Sequence, residues 1–277
     1  MSTARKLSGV WLEFDSLVNA RDVGGIPTPD GPVKSQRLIR SDNLQALTEA
    51  DIAQLQQLGV SDVVDLRSTY EVASEGPGPL AGRGVAIHHH SFLPERHDNV
   101  HADESKQDVI REALATGDHQ HVGAPARRTR VDTGSDDRFS GSYVAYLLDR
   151  PESVLAALRV IAHAPGASLV HCAAGKDRTG TTVALALSIV GADREAIIAD
   201  YAASSERMQL ILDRLMSTET YRPNLEGTPL ERHLTRPESM RAVLAHLDEH
   251  YGGPLGVLDR MGWTTADTEA MQLKLLA

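Results

Sequence analysis

The feature that most constrains this chain is a short segment around its only cysteine. Residues 170–180 read Val-His-Cys-Ala-Ala-Gly-Lys-Asp-Arg-Thr-Gly. The apolar run 167–170 in front of the cysteine is typical of a buried strand. The run 179–190 is rich in Ala, Val, Leu and Thr and ends before Gly191, which favours a helix closed by glycine. The segment therefore predicts a strand, a tight loop and a helix.

The predicted loop has the residue types that bind a phosphate group. A helix N-terminus presents unpaired N–H groups and the positive end of the helix dipole, and both favour anions. Ala173, Ala174 and Gly175 are small, so their backbone can approach a phosphate closely. Arg178 is the residue type that grips two phosphate oxygens at once.

Cys172 is the predicted nucleophile of this loop. A ring of N–H donors around the sulfur favours its thiolate form at neutral pH. The hydroxyl of Thr179 can reach the sulfur and stabilise it as a leaving group when a phospho-cysteine is hydrolysed. His171 is expected to orient the loop through a hydrogen bond to backbone. These residues together predict a cysteine-dependent phosphatase.

Two other interpretations of the segment fit less well. A P-loop nucleotide site requires Ser or Thr after the lysine and a glycine five residues before Gly175, where this chain has Asp177 and Val170. A structural cysteine is the most frequent role of a lone buried cysteine. The spacing to Arg178 and the strand–loop–helix context favour catalysis instead.

The loop resembles the active-site loop of the bacterial protein tyrosine phosphatases related to mycobacterial protein tyrosine phosphatase B, within the cysteine-dependent phosphatase superfamily. Further motifs of that family occur in the same order along the chain. They are Asn-Ala-Arg-Asp-Val-Gly-Gly at 19–25, Leu-Ile-Arg-Ser-Asp at 38–42, Val-Val-Asp-Leu-Arg-Ser at 63–68, Ala-Asp-Tyr at 199–201 and Tyr-Gly-Gly at 251–253.

The resemblance implies hydrolysis of phosphate monoesters through a phospho-cysteine, with no metal and no cofactor. It also implies a broad choice of substrates, from phosphotyrosine and sometimes phosphoserine or phosphothreonine to phosphoinositides. Lys176 favours the inositol lipids, because an added cation suits a multiply phosphorylated head group. A phosphoinositide phosphatase is therefore the alternative function.

The general acid is harder to place. Trp11 and Trp263 are not followed by Pro-Asp, so the chain has no Trp-Pro-Asp loop. The stretch 91–95 reads Ser-Phe-Leu-Pro-Glu, where relatives carry Phe-Pro-Asp. Asp177 is the first candidate for the acid. Glu95 and Asp98 are the next candidates.

Composition limits the class of protein further. The chain has 28 Lys and Arg against 38 Asp and Glu, a formal net charge of −10, which argues against nucleic acid as the main partner. No run is apolar for long enough to span a bilayer, so no integral membrane association is expected. A single cysteine excludes internal disulfides and favours a reducing compartment. The cytoplasm is the default expectation, and export without a signal peptide stays open.

The pattern along the chain predicts a single α/β phosphatase domain over residues 1–277. Strands at 37–41, 60–66 and 84–90 alternate with helices, which favours a mainly parallel sheet flanked by helices. Residues 96–138 are polar and are predicted to form a mobile insertion with one short helix at 107–115. The chain after residue 193 is mostly helical, and residues 204–250 are the candidate for a lid over the pocket.

Two further hypotheses belong to other classes. The first is a non-catalytic phosphate-binding module, which the presence of both Cys172 and Arg178 disfavours. The second is a redox or sulfur-transfer enzyme, which the absence of a second cysteine disfavours. A metal site built on His88, His89 and His90, with His97 and His101, lacks the accompanying cysteine or carboxylate cluster.

Overall fold

The computed structural model describes residues 9–94, 128–137 and 139–277. The predicted helix at 107–115 and most of the predicted insertion at 96–138 lie outside these residues. The same is true of the candidate acids Glu95 and Asp98.

The strands of the described chain are β1 Val10–Trp11, β2 Arg21–Asp22, β3 Pro27–Thr28, β4 Gly31–Pro32, β5 Leu38–Ser41, β6 Val60–Asp65, β7 Ala86–His89 and β8 Ala167–His171. Six of them form one sheet in the order β1-β2-β5-β8-β6-β7. Strands β5, β8, β6 and β7 are parallel neighbours, and β1 and β2 add antiparallel pairs at one edge. Strands β3 and β4 form a separate hairpin.

Helices cover the sheet and make up most of the C-terminal half. They are α1 Glu49–Gln57, α2 Thr69–Glu75, α3 Ser140–Asp149, α4 Pro151–His163, α5 Asp177–Ile189, α6 Arg194–Ala202, α7 Met208–Met216, α8 Arg222–Leu225, α9 Pro237–Tyr251, α10 Pro254–Met261 and α11 Thr265–Leu276. Short 3₁₀ turns lie at Ala203–Arg207 and Leu230–Arg232. The predicted α/β class with a mainly parallel sheet and a helical C-terminal part is confirmed.

Local sequence explains where several helices begin. Thr48 and Asp51 form a capping box at the start of α1. Ser68 and Glu71 form a second capping box that begins α2, a helix that the sequence interpretation missed. The pattern Ser-x-x-Glu was the available indication, and a cap of this kind contributes about 1 kcal/mol.

Two apolar clusters fix the sheet between its helices. The larger cluster packs helices α3 to α6 and α9 to α11 against one face, and it includes the fully buried Val170 and Leu187. The smaller cluster packs α1 against the other face through Ile52 and Leu55. This packing brings the carboxyl ends of β5, β6 and β8 to one edge of the sheet, the edge at which open α/β sheets bind ligands.

Candidate active site

The cysteine lies in a tight loop between β8 and α5, as the sequence predicts. Cys172 is 2% exposed at the end of the strand, and α5 begins at Asp177. Gly175 has φ of +68°, and a Cβ there would come within 2.5 Å of the Ser41 carbonyl oxygen. Any side chain would therefore strain the backbone and clash with β5, so the loop requires glycine at this position.

The carbonyl groups of this loop all point outward. Four consecutive carbonyls, those of residues 172–175, accept hydrogen bonds from the surrounding protein. Because a trans peptide directs its N–H opposite to its C=O, the amides of residues 173–176 face the pocket. The four bonds are His171 Nδ1 to Cys172 O (3.2 Å), Asn43 N to Ala173 O (3.0 Å), Asn19 Nδ2 to Ala174 O (2.8 Å) and Arg40 Nη2 to Gly175 O (2.8 Å).

Two of these donors are fixed by a buried ionic network. Asp200 on α6 pairs with Arg40 at 2.5 Å and with Arg21 at 3.4 Å, and Arg21 also donates to Asn19 Oδ1 at 2.6 Å. Burial and the neighbouring Arg40 lower the pKa of Arg21 to about 10, so its guanidinium remains charged at neutral pH. The motifs at 19–25, 38–42 and 199–201 thus meet beneath the loop and hold its carbonyls.

Arg178 is held by an ion pair with Glu71. The guanidinium donates to Glu71 Oε2 at 2.6 Å and to Oε1 at 3.0 Å, and also to the Leu66 carbonyl at 3.2 Å. Burial would raise the pKa of Glu71, but the charge of Arg178 and the bonds from Arg178 and Ser68 lower it to about 2. Glu71 is a site residue that the sequence interpretation did not identify.

Replacing Glu71 by glutamine is expected to destabilise the protein in a pH-dependent way. The lowered pKa of Glu71 contributes stability that is present above its ordinary value of 4.5 and is lost as the pH falls through about 2. The difference between the ordinary and the lowered pKa of Glu71 corresponds to about 3 kcal/mol of unfolding free energy at pH 6. This contribution falls below about 1 kcal/mol at pH 2.5. Urea unfolding of both proteins at the two pH values measures it.

Glu152 provides a matched control for that experiment. Its carboxylate pairs with Arg150 but is 67% exposed, and exposed pairs contribute little. We expect Glu152→Gln to leave the unfolding free energy nearly unchanged at both pH values. Equal stability of Glu71→Gln and wild type at pH 6 would contradict the role given to the buried pair.

Lys176 and Asp177 lie side by side at the mouth of the loop. Lys176 Nζ donates to the His233 carbonyl at 2.6 Å and lies 5.2 Å from the centre of the Phe139 ring. It is 3.7 Å from Asp177 Oδ2. Asp177 Oδ1 accepts a hydrogen bond from the Tyr143 hydroxyl. The lysine thus contacts the C-terminal helical part, and the carboxylate lines the pocket.

His171 and Thr179 are the two residues predicted to support the chemistry of the loop. Burial lowers the pKa of His171 to about 4, so its ring is neutral and its Nδ1–H donates to the Cys172 carbonyl. Thr179 is fully buried, and no described group lies within hydrogen-bonding reach of its hydroxyl. The Cys172 sulfur is thus not bonded to this hydroxyl in the structure, and the bond from Thr179 to the sulfur stays a prediction.

The loop lies at the base of a cavity of about 380 Å³. One wall is formed by the loop with Glu71 and Arg178. A second wall comes from residues 208–233 and is mostly apolar; its apolar members are Met208, Ile211, Leu212, Leu215, Tyr221 and Leu225. The pocket thus combines an anion-binding base with an apolar side.

The segment that forms this apolar wall is tied to the edge of the sheet. Arg214 on α7 donates to the Asp42 carboxylate and to the Asn43 carbonyl. The Tyr221 hydroxyl donates to Glu75 Oε2 at 3.2 Å. The wall is therefore anchored next to the loop by polar contacts on α7 and at the start of α8.

The histidines of β7 contact other parts of the protein. His88 Nε2 lies 2.8 Å from Asp62 Oδ1, and His89 Nε2 lies 2.8 Å from the Arg67 carbonyl oxygen. No cluster of three potential metal ligands occurs among the described residues. His97 and His101 lie outside the described residues.

A sequence profile described as the tyrosine phosphatase family matches residues 12–277. The chain belongs to the tyrosine phosphatase family. It is 31% identical to the triple specificity protein phosphatase PtpB of Mycobacterium tuberculosis, over 98% of this chain and 99% of that protein. It is 30% identical to a putative tyrosine-protein phosphatase of Cupriavidus necator (71% of this chain, 63% of the relative). A tyrosine-protein phosphatase of Nostoc commune is 27% identical, over 88% of this chain and 74% of that protein.

This tyrosine phosphatase is thus a phosphoric monoester hydrolase of the protein-tyrosine-phosphatase type, which confirms the family and the reaction predicted from the cysteine loop. Phosphorylated proteins are the corresponding class of substrate. In the described part of the chain, no helix is both long and apolar enough to cross a membrane.

Proposed function

We propose that this phosphatase hydrolyses phosphotyrosine with Cys172 as nucleophile, Arg178 as phosphate ligand and Asp177 as general acid. The observation that carries the proposal is the outward orientation of the carbonyls of residues 172–175. It turns the amides of residues 173–176 toward the pocket above the sulfur. Donors fixed in advance around a site of developing charge stabilise the transition state strongly.

The reaction proceeds in two displacements. The Cys172 thiolate attacks phosphorus, the bond to the phenol oxygen breaks, and Asp177 protonates that oxygen. Water then attacks the phospho-cysteine, and the Asp177 carboxylate takes the proton of that water. Thr179 donates to the departing sulfur, and inorganic phosphate leaves.

Arg178 and the loop amides hold the equatorial phosphate oxygens throughout. Ala173, Ala174, Gly175 and Lys176 contribute those amides. Glu71 keeps the guanidinium of Arg178 at the edge of the pocket, and a planar guanidinium can bond the phosphate through its two remaining N–H directions. The phosphate site needs no metal in this mechanism.

Phosphotyrosine suits the lining of the cavity, which has both an anion-binding loop and an apolar wall. The phenyl ring of phosphotyrosine holds the phosphate far from the peptide backbone, so the phosphate can reach the loop. The ring then lies against the apolar wall of Met208, Ile211 and Leu215. A phosphoserine places its phosphate on a single carbon and buries no ring against that wall. We therefore expect higher kcat/KM on phosphotyrosine peptides than on matched phosphoserine peptides.

Phosphoinositides are the second candidate substrate. Lys176 and Arg232 line the same cavity as Arg178 and add positive charge around it. A head group with more than one phosphate can bond Arg178 and one of these cations together. Lys176 would then exchange the His233 carbonyl for a phosphate oxygen.

Replacing Lys176 by alanine distinguishes a phosphoinositide substrate from a phosphotyrosine substrate. Loss of a bond to a second phosphate is expected to lower kcat/KM on a phosphoinositide about tenfold more than on a phosphotyrosine peptide. Lys34, an exposed residue remote from the cavity, supplies the control variant Lys34→Ala. An equal loss on both substrates would exclude Lys176 as a lipid-specific contact.

Residues 1–277 are proposed to form one phosphatase domain, with residues 204–250 as a helical lid. The contribution of residues 208–233 to the apolar wall supports the lid. The cytoplasm is the proposed compartment because the chain's single cysteine has no partner for a disulfide, and export is the alternative.

A further inference from the structure

Two buried tyrosines connect the pocket to the protein interior. Tyr143 on α3 and Tyr201 on α6 are each 1% exposed, and their hydroxyl oxygens are 2.9 Å apart. Their rings meet edge to face with centres 5.9 Å apart. The Tyr143 hydroxyl is also hydrogen-bonded to Asp177 Oδ1. The three side chains thus form one continuous chain of hydrogen bonds.

The direction of this chain follows from the number of protons available. A carboxylate can only accept, so the single proton of the Tyr143 hydroxyl points to Asp177 Oδ1. The bond between the two hydroxyls therefore uses the proton of Tyr201. Burial and the charge of Asp177 raise the pKa of Tyr143 well above its ordinary value, so this hydroxyl keeps its proton at neutral pH.

We propose that Tyr143 is a positioning residue that directs the acidic proton of Asp177 to Oδ2. This inference rests on the proposed role of Asp177 as general acid. While Oδ1 accepts the proton of Tyr143, a proton that binds Asp177 is favoured on the other oxygen. Tyr201 supports this arrangement by donating to the Tyr143 oxygen.

The position of the carboxyl group supports this assignment. The Asp177 side chain is 26% exposed and lines the cavity, whereas the Tyr143 side of the group is buried. Oδ2 also lies 3.7 Å from Lys176 Nζ at the mouth of the loop. The oxygen free of Tyr143 is therefore the one available to a leaving group. Without the tyrosine hydroxyl, the proton could occupy either oxygen and the carboxyl group could rotate.

The test compares Tyr143→Phe with Asp177→Asn on two substrates. A phosphotyrosine peptide has a poor leaving group, a phenol with a pKa of about 10, and needs the acid. The leaving group of p-nitrophenyl phosphate is much less basic and needs it little. We expect Tyr143→Phe to lower kcat/KM, which reports on the first displacement, about tenfold on the peptide and less than about threefold on p-nitrophenyl phosphate.

Phenylalanine keeps the ring that stacks between Phe139 and Tyr146, so the variant should fold. The inhibition constant of inorganic phosphate, which reports on the loop alone, should stay unchanged in Tyr143→Phe. Tyr251→Phe on α9 is the matched control, since it removes a tyrosine hydroxyl that neither lines the cavity nor belongs to the chain of bonds. It should leave kcat/KM unchanged on both substrates.

A double variant tests whether Tyr143 acts through Asp177. In Asp177→Asn, adding Tyr143→Phe should cause no further loss on the peptide. Losses that multiply, or a Tyr143→Phe loss equal on both substrates, would overturn the positioning role.

The Asp177→Asn variant by itself separates this inference from the proposed mechanism. A larger loss of kcat/KM on the peptide than on p-nitrophenyl phosphate supports the acid, because kcat/KM reports on the first displacement and not on hydrolysis of the phospho-cysteine. The absence of that difference would refute Asp177 as the acid, and the role of Tyr143 with it, but would leave Cys172 as nucleophile.

Discussion

Replacing Cys172 by serine is expected to lower the turnover of p-nitrophenyl phosphate by at least about 10⁴-fold, the scale of removing a catalytic nucleophile. A serine hydroxyl remains protonated at neutral pH, and the loop that stabilises a thiolate provides no base for it. The side chain is buried at the end of β8 and the replacement is nearly isosteric, so the fold should be preserved.

The phosphate-binding site should be retained in the Cys172→Ser protein. Its donors are the amides of residues 173–176 and Arg178, and none of them is altered. Inorganic phosphate should therefore still raise the thermal unfolding midpoint of the variant by mass action. Residual turnover within about tenfold of wild type would exclude Cys172 as the nucleophile.

Replacing Arg178 by lysine is expected to lower kcat about 10³- to 10⁵-fold, the range over which an arginine that stabilises a phosphoryl transition state acts. A lysine carries the same charge but cannot bond Glu71 and two phosphate oxygens with a planar fork. The loss should appear on every substrate, since all of them share the phosphate. Steady-state kinetics on p-nitrophenyl phosphate and a phosphotyrosine peptide measure it.

Arg159→Lys is the matched control for the charge-preserving change. Arg159 on α4 pairs with Asp267 on α11, away from the cavity, and its side chain is partly exposed. Such a pair contributes at most about 1 kcal/mol to stability and nothing to catalysis. An Arg178→Lys enzyme as active as Arg159→Lys would contradict a transition-state role for Arg178.

The strand, loop and helix around the cysteine could be predicted because their determinants are local. The apolar run of β8, the small residues of the loop and Gly191 lie within about 25 residues of one another. The same is true of the capping box that begins α1. Local sequence patterns of this kind predict a helix or strand without knowledge of the tertiary structure.

The partners of the loop could not be predicted, because they come from distant parts of the chain. Arg40 lies 135 residues before the Gly175 carbonyl that it binds, and Lys176 lies 57 residues before the His233 carbonyl. Glu71 and Arg178 are 107 residues apart. The sequence identifies Arg40 as part of a family motif, but only the parallel register of β5 with β8 brings it beneath the loop.

For the general acid, too, the local sequence predicts the residue but not its distant partner. The sequence offers Asp177 because it adjoins Arg178, with Glu95 and Asp98 as further candidates. The structure places Asp177 in the cavity with Tyr143, a contact over 34 residues. A carboxylate next to the loop was therefore predictable, but the hydroxyl that orients it was not.

Trapping the phospho-enzyme tests the central proposal most directly. Asp177→Asn enzyme mixed with p-nitrophenyl phosphate should form the intermediate readily, because nitrophenolate needs little acid, and hydrolyse it slowly, because the base is missing. After a rapid acid quench, peptide mass mapping should find one phosphoryl group on Cys172 and none in the Cys172→Ser protein. A burst of nitrophenolate with no phosphoryl group on Cys172, or with one on another residue, would contradict the mechanism.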